Sequence, residues 1–293
     1  MSRVHKPHRW QWLWLIPAAL LVWWPLWFLF MGALMSQEEL RLTIGPALGL
    51  GTGYTVWHLL PDWPTPGSRP TLESLLTLLL DTPQFFVMFW NSIGQSVAQV
   101  AGNLLVGAPA AWAISRLRFR GRSMVRGLYI VLMLLPFQVT MVPSYLVLRQ
   151  FGLLDTPWAI ILPGIFSTFP VFIMERGFDT VPREVLESAS IDGANQWQRF
   201  WRIGIPLGIP GLISALTLGF LDAWNAIEQP MTFLESPQYW PLSLFFTDPA
   251  NLDTKQLGLA MAASLWMLLP SILAFRFGQT YLEAGLTKGA VKG

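Results

Sequence analysis

Long apolar stretches alternate with shorter polar segments along this chain. A helix needs about 20 predominantly apolar residues to cross about 30 Å of hydrocarbon. Six stretches approach or exceed that length, and they cover residues 12–35, 90–114, 127–148, 158–174, 203–226 and 258–282. The pattern predicts an all-α integral membrane protein in which one transmembrane domain, residues 1–293, contains six transmembrane helices.

The composition supports this prediction. Apolar residues make up 53% of the chain and charged residues 12%, whereas soluble domains carry about 25% charged residues. Many of the 16 Trp lie near the ends of the apolar stretches, where an amphipathic ring suits the headgroup region. There is no Cys, and His5, His8 and His58 lie outside the apolar stretches. This placement disfavours metal and general-base chemistry at membrane depth.

The Lys and Arg residues predict the orientation of the chain. If the N-terminus is inside, 15 of the 19 basic residues lie on the cytoplasmic side and 4 lie outside, a strong positive-inside bias. The stretch 12–35 follows three basic residues, but it is long for a signal peptide and no clear cleavage site follows it. We therefore expect a retained anchor and cytoplasmic location of both ends.

The connecting segments differ in length and character. The outer loop, 36–89, is rich in Gly and Pro and is predicted to be largely irregular. The inner loop, 116–126, is short and basic. The inner segment 175–202 is longer and carries both signs of charge. It is therefore the connecting segment that we expect to carry a function.

Within that segment, residues 181–202 predict two short helices joined by a sharp turn, and we call them the knob. Pro182 suits the first turn of a helix because its missing N–H costs nothing there. The first helix is predicted to end at Asp192-Gly193, where glycine can adopt a left-handed conformation. The aromatic residues of the second helix, three and four positions apart, are Trp197, Phe200 and Trp201. An amphipathic helix lying on the bilayer is the alternative, but it accounts poorly for the glycine turn.

The knob resembles the EAA loop of importer permeases that are driven by ATP-binding-cassette (ABC) subunits. The pattern Glu-Ala-Ala, three residues, Gly falls on Glu187, Ser188, Ala189 and Gly193, with serine in place of the first alanine. Serine is small enough to preserve close packing. The sequence Asp-Gly-Ala at 192–194 has the form typical of sugar permeases, so the resemblance is to the carbohydrate-uptake, maltose-type family.

Further blocks of the chain are similar to this family in the same order. They are Pro-Thr-Leu-Glu at 70–73, Phe-Trp-Asn-Ser at 89–92, the basic turn 111–122, Trp-Asn at 224–225 with Pro230, and the tail 282–293. Each block alone is a weak signal. Their shared order and spacing on a six-span chain are specific to the family.

The resemblance implies a type I importer permease with a cytoplasmic coupling-helix loop. It implies that the loop docks on a separate ATPase subunit through Glu187, Ser188, Ala189, Asp192, Gly193, Ala194 and Trp197. It further implies that the cytoplasmic tail, 283–293, reaches the ATPase interface through Lys288, Gly289 and Lys292.

The implied assembly contains three kinds of partner besides the lipid bilayer. They are a second, related permease subunit, a homodimeric ATP-binding subunit that holds ATP and Mg, and an external solute-binding protein. No cofactor is expected on this chain and no nucleic acid among its partners. The implied location is the cytoplasmic membrane of a bacterium or archaeon.

Polar residues recur at membrane depth on single helix faces. In the second stretch they are Asn91, Gln95, Gln99 and Asn103, four residues apart, and in the fifth they are Asp222, Asn225 and Gln229. Amides and carboxylates avoid lipid and turn toward a bundle interior or a wet cavity. They are candidates for lining a path for a polar solute such as a sugar, and hydrogen bonding between helices of different subunits is the alternative.

Other activities fit the sequence less well. A P-loop needs Gly-Lys-Ser/Thr, and none of the four Lys stands in that context, so the chain is not expected to hydrolyse ATP or to act as an enzyme. Secondary transporters commonly carry inverted repeats or paired intramembrane charges, which are not evident here. A secondary transporter, or an ABC permease for another small polar solute, is the alternative to a sugar permease.

Overall fold

A computed structural model describes residues 9–36, 38–40, 70–246 and 257–290, with side chains for 14–36, 38–40, 70–246 and 257–283. Most of the predicted outer loop and Lys292 lie outside the described residues. All of the described secondary structure is helical, which confirms the predicted all-α class. The chain divides into two compact units, Met1–Phe85 with Phe246–Leu268 and Phe86–Phe245 with Leu269–Gly293.

The helices follow one another with short breaks. The first ones are α1 Arg9–Ala33, α2 Glu73–Leu76, α3 Pro83–Arg116, α4 Arg122–Leu134, α5 Phe137–Gln150, α6 Trp158–Ile165 and α7 Thr168–Asp179. They are followed by α8 Arg183–Ile191, α9 Gln196–Arg199, α10 Ile205–Asn225, α11 Glu228–Phe233 and α12 Leu257–Ala290. Two π-helical turns, Thr77–Asp81 and Phe200–Gly204, continue α2 and join α9 to α10.

Five helical stretches of the described chain are long and apolar enough to cross a membrane. They are Trp14–Ala33, Pro83–Arg116, Trp158–Asp179, Gln196–Asn225 and Leu257–Glu283. The pair α4 and α5 passes the same test only when taken together, which gives up to six spans. The predicted stretches 12–35, 90–114, 158–174, 203–226 and 258–282 each overlap one of the five.

The third predicted span, 127–148, is wrong as a single helix. The structure has α4 and α5 there, bent by 103° at a break between them. The break falls at Leu135 and Pro136, which have extended backbones with ψ of 124° and 151°. Proline lacks an N–H and pushes the residue before it out of the helical region. The apolar run hides this break because both helices are apolar.

The first residues of the predicted cytoplasmic tail, 283–293, are helical. Helix α12 continues through Ala290 without a break, so Lys288 and Gly289 belong to this helix. The sequence 283–290 contains no proline, and glycine in a helix costs only about 1 kcal/mol relative to alanine. The long preceding helix therefore extends across these residues.

The first unit brings α1 against the beginning of α12. A Cβ placed on Gly32 would lie 2.0 Å from the Sδ atom of Met261, so the two helices approach closely there. The backbone N–H of Thr71 donates a hydrogen bond to the carbonyl of Leu34 at 2.7 Å. This bond ties the segment that precedes α2 to the end of α1.

The core of the second unit lies between α3, α7 and α10. Its buried residues are Ala108, Ala111, Trp112, Val171, Met174, Phe178, Phe200, Leu212 and Ala215. Helices α7 and α10 cross at Gly177 and Gly211, where an added Cβ would come within 2.6 Å and 2.3 Å of the opposite Cα. Small residues at a crossing let two backbones meet, which is how membrane helices gain packing energy without a hydrophobic driving force.

Candidate coupling knob and polar cavity

The first helix of the knob ends in a Schellman motif. Gly193 has a φ of 81°, which L side chains rarely adopt. Its N–H donates to the carbonyl of Ser190 at 3.2 Å, and the N–H of Ala194 donates to the carbonyl of Ala189 at 2.9 Å. A Cβ at Gly193 would meet no atom within 4 Å, so the backbone conformation alone requires glycine. The predicted helix, turn and helix are confirmed.

A capping box starts the second helix of the knob. The side-chain oxygen of Asn195 accepts from the N–H of Gln198 at 2.8 Å, and the Gln198 side chain accepts from the N–H of Asn195 at 2.8 Å. The guanidinium of Arg199 donates to the hydroxyl of Ser190 at 2.6 Å. This bond connects the second helix back to the first, so the two helices form one unit.

Phe200 anchors the knob to the helix bundle. Its side chain is 2% exposed and lies with its ring centroid 5.8 Å from that of Trp112 and 6.2 Å from that of Phe178. The π-helical turn Phe200–Gly204 then leads directly into α10. The knob is therefore connected to α10 through the backbone and to the bundle through the aromatic core.

The outer surface of the knob exposes large apolar side chains. The exposed fractions are 87% for Ile191, 64% for Trp197 and 59% for Trp201. Of the predicted coupling residues, Ala189 and Ala194 are half-buried, and the others are exposed, namely Glu187, Ser188, Asp192, Gly193 and Trp197. Exposed apolar residues beside charged ones are typical of a surface that binds another protein.

Arginine side chains hold the base of the knob. Arg116 donates to the backbone carbonyls of Phe178 and Val181, which lie at the end of α7 and at the start of the knob. Arg122 donates at 2.6 Å to the carbonyls of Ile114 and Ser115 at the end of α3. From the sequence alone these arginines are recognisable only as positive-inside charges. Guanidinium groups suit this position because one side chain can satisfy several helix-end carbonyls.

A buried acid also lies below the knob. Glu175 is 3% exposed and forms an ion pair with Arg126, which lies in turn 3.9 Å from Asp179. The hydroxyl of Ser115 donates to Asp179 at 2.7 Å. This cluster was not predicted from the sequence. Two signals for it were present, because acids four residues apart share a helix face and the loop 116–126 is basic.

The amide stripe of α3 is hydrogen-bonded mainly to backbone carbonyls of the same chain. The Asn91 amide donates to the carbonyls of Gln238 and Trp240 at 2.8 and 3.1 Å. The Gln95 amide donates to the carbonyl of Tyr239 at 2.9 Å. These acceptors lie outside regular α-helix, where carbonyls lack an intrahelical donor and need another one in the absence of water.

Asn103 also donates to backbone carbonyls, at the break between α6 and α7. Its amide donates to the carbonyls of Ile165 and Ser167 at 3.0 and 3.1 Å. Gln99 lies near the same break, since a Cβ on Gly164 would be 2.0 Å from its Oε1 atom. The amides of Asn91, Gln95 and Asn103 therefore all donate to backbone carbonyls of this chain.

An open cavity of about 980 Å³ lies in the second unit. Five of the predicted path residues line it, namely Gln99, Asn103, Asp222, Asn225 and Gln229, whereas Asn91 and Gln95 do not. The cavity has further polar lining residues that were not predicted from the sequence, namely Thr140, Ser144, Ser167, Thr168 and Glu228. Helix breaks bring these residues together, and hydroxyl groups in apolar helices give no sequence signal of their own.

Apolar rings complete the cavity wall. They belong to Phe137, Phe166, Phe169 and Phe233. A wall that combines rings with amides and hydroxyls can contact both the C–H faces and the hydroxyl groups of a sugar. Asn225 lines the cavity, and its amide donates to the carbonyl of Leu221 at 2.7 Å.

Asp155 connects two segments that are far apart in the chain. Its φ is 54°, and its carboxylate accepts from the N–H groups of Glu235 and Ser236 at 3.0 and 2.7 Å and from the Ser236 hydroxyl. The hydroxyl of Ser236, followed by these N–H groups, lowers the pKa of Asp155 below its ordinary value. The bonds connect the turn between α5 and α6 to the segment after α11.

We expect the hydrogen bonds between Asp155 and residues 235 and 236 to weaken in acid. The pKa of Asp155 is lower in the folded chain than in the unfolded chain. The hydrogen bonds of its carboxylate therefore stabilise the fold fully above the unfolded pKa of about 3.9. This stabilisation is lost as the pH falls through the pKa of the folded state. Hydrogen exchange of the Glu235 and Ser236 amides should therefore show protection at pH 7 that disappears in acid. Asp155→Asn tolerates the left-handed backbone but lacks the charge, so it should exchange faster at pH 7 and show no acid transition. Equal protection in the variant and the original chain at pH 7 would contradict the assignment.

The long apolar helices, the exposed knob and the open polar cavity define a polytopic membrane transport protein. The chain belongs to the family described as binding-protein-dependent transport system inner membrane component, whose profile matches residues 103–288. The match includes the knob, the arginine cluster and most of the cavity. It identifies the chain as a permease of ABC transport systems.

Two relatives and one solved structure illustrate the similarity. The inner membrane ABC transporter permease protein YcjP of Escherichia coli (strain K12) is 33% identical over 71% of this chain and 75% of that protein. The arabinooligosaccharides transport system permease protein AraQ of Halalkalibacterium halodurans is 28% identical over 77% of this chain and 81% of that protein. A chain of a bacterial ABC transporter that imports the acidic polysaccharide alginate has the same fold, with a TM-score of 0.72 and 23% identity over 95% of this chain and 99% of that one.

Proposed function

We propose that this chain translocates a sugar or oligosaccharide as one permease subunit of an ABC importer. The observation that carries this proposal is the cavity, because it combines hydroxyls, amides and aromatic rings within a chain of the permease family. Relatives named for arabinooligosaccharides and diacetylchitobiose support a carbohydrate as cargo.

The knob is proposed to receive the motion of an ATPase subunit. Its exposed apolar and charged residues offer a binding surface, and its two helices are held together by the Ser190–Arg199 bond. Helix α10 starts from the knob and lines the cavity with Asp222 and Asn225. The same helix therefore connects the proposed docking surface to the proposed path.

The proposed complex contains other subunits that complete these sites. A homodimeric ATP-binding subunit would bind the knob and hydrolyse ATP with Mg, and a second, related permease would face the cavity. An external binding protein would deliver the solute, as suggested by the alginate transporter structure in complex with a periplasmic protein. The positive-inside bias supports an orientation with the knob in the cytoplasm.

The test is uptake by the purified complex in proteoliposomes. Radiolabelled oligosaccharide bound to its binding protein should enter vesicles only when ATP and Mg are present on the side of the knob. An ATP analogue that cannot be hydrolysed serves as the control. Uptake driven by a proton or sodium gradient without ATP would establish a secondary transporter instead and overturn the proposal.

A further inference from the structure

The charged side chains that line the cavity indicate which class of sugar it can accept. The only charged side chains among its described lining residues are Asp222 and Glu228, and all the other polar ones are neutral. No Lys, Arg or His lines the cavity within the described part of the chain. The wall is therefore acidic, which the number of basic residues in the whole chain does not indicate.

No basic side chain lines the cavity beside either carboxyl group within the described part of the chain. Glu228 accepts a hydrogen bond from the neutral amide of Gln138 at 2.8 Å. The ion pairs found among the described residues involve Arg126 with Glu175 and Asp179 at the base of the knob. Arg116 and Arg122 are bonded to carbonyls near the knob, and no described basic side chain lines the cavity beside Asp222 or Glu228.

From this arrangement we propose that the cavity admits uncharged sugars and rejects anionic ones, a selectivity that rests on the proposed function of the same site. An anion that enters the cavity loses part of its hydration and meets the carboxyl groups of Asp222 and Glu228, with no cation to compensate on this wall. An uncharged sugar loses less hydration, because the hydroxyls and amides can replace its hydrogen bonds and the rings can cover its C–H faces.

This selectivity separates the chain from the alginate importer that shares its fold. Alginate is an acidic polysaccharide, and like charges disfavour an anion at a wall whose charged side chains are all acidic. At 23% identity the shared fold does not determine the cargo, whereas the charges that line the cavity act on it directly. Field focusing in a cleft with low-dielectric walls changes local ion concentrations by about tenfold or more.

The test measures the electric potential of the cavity without knowledge of the cargo. The chain has no native Cys, so single cysteines can be placed at Ser167 or Ser144, which both line the cavity. The intact complex in nanodiscs is treated with two methanethiosulfonate reagents of similar size, one with a trimethylammonium group and one with a sulfonate group. The ratio of their rates is compared with the ratio for a free thiol.

We expect the cationic reagent to be favoured at both positions by roughly tenfold over the free-thiol ratio. Asp222→Asn combined with Glu228→Gln should bring the ratio back toward the free-thiol value. A cysteine at exposed Ser123, beside Arg122 and near Arg126, is the matched control and should favour the anionic reagent.

Two outcomes would overturn different conclusions. Reaction at Ser167 and Ser144 with the free-thiol ratio, unchanged by the double variant, would overturn the charge selectivity and leave the path in place. Absence of reaction with either reagent at both positions in every nucleotide state, while Ser123→Cys reacts, would show that water does not reach the cavity and would overturn the proposed path.

Discussion

Gly193→Val should abolish the stimulation of ATP hydrolysis by loaded binding protein while the complex still reaches the membrane. Valine would have to adopt a φ of 81°, and a left-handed conformation costs a non-glycine residue about 1–2 kcal/mol, with more for a β-branched side chain. The helix end would rearrange to avoid this cost. The Schellman bonds at Ser190 and Ala194 would then be lost, and the knob would no longer present one surface.

Two matched variants separate coupling from backbone strain. Gly152 also has a positive φ, 65°, with no atom within 4 Å of an added Cβ, but it lies between α5 and α6, away from the knob. Gly152→Val should carry similar strain and keep most of the stimulation. Gly193→Asn should retain more activity than Gly193→Val, because asparagine tolerates the left-handed region.

Glu187→Lys tests the same surface without backbone strain. Glu187 is exposed, so the substitution should leave insertion and complex yield near normal and lower the stimulated ATPase rate at least about tenfold through charge repulsion or lost contacts. The measurement is the ATPase rate of reconstituted complexes with and without loaded binding protein. Full stimulation and uptake in both Gly193→Val and Glu187→Lys would refute the coupling role.

Gly211→Leu should destabilise the bundle more than any surface substitution. A Cβ at this position would lie 2.3 Å from the Cα of Gly177, so α7 and α10 would have to separate. Backbone cannot move aside as a flexible side chain can, and overpacking costs about 1–3 kcal/mol even in cores that adapt. The separation would also disturb Phe178, which touches Phe200 at the base of the knob.

Thermal unfolding of the purified complex, together with its yield from membranes, measures this effect. Gly211→Ala should show a smaller loss in the same direction. Gly94→Ala is the control, because Gly94 lies in α3 and an added Cβ there meets no atom within 4 Å. If Gly211→Leu had the same thermal stability as Gly94→Ala, the close crossing of α7 and α10 would be wrong.

The long helix α10 explains why these two variants are expected to have the largest effects. It begins at the π-helical turn after the knob, crosses α7 at Gly211, and reaches the cavity at Asp222 and Asn225. We infer that a rigid helix with these three attachments would transmit a displacement from one end of the second unit to the cavity. Gly193→Val acts in the knob that precedes this helix, and Gly211→Leu acts where it crosses α7.

Local chemistry by itself determined the helical class, most of the spans and the shape of the knob. Apolar runs of sufficient length predict membrane helices because unsatisfied backbone groups are too costly in hydrocarbon. Asp192-Gly193 predicts the turn because few residues other than glycine accept a positive φ. These inferences depend on residues close to one another in the chain, so no knowledge of the tertiary structure is needed.

Contacts between distant residues were decided only by the tertiary structure. Pro136 splits the third predicted span into α4 and α5, and whether a membrane helix breaks or bends at a proline depends on which neighbours satisfy the freed backbone groups. The amides of Asn91 and Asn103 proved to be bonded to carbonyls at positions 238, 240, 165 and 167, far from them in the chain. The cavity, likewise, is formed by residues from 99 to 233. Periodicity places a polar residue on a helix face, but which groups that face meets depends on how the helices pack.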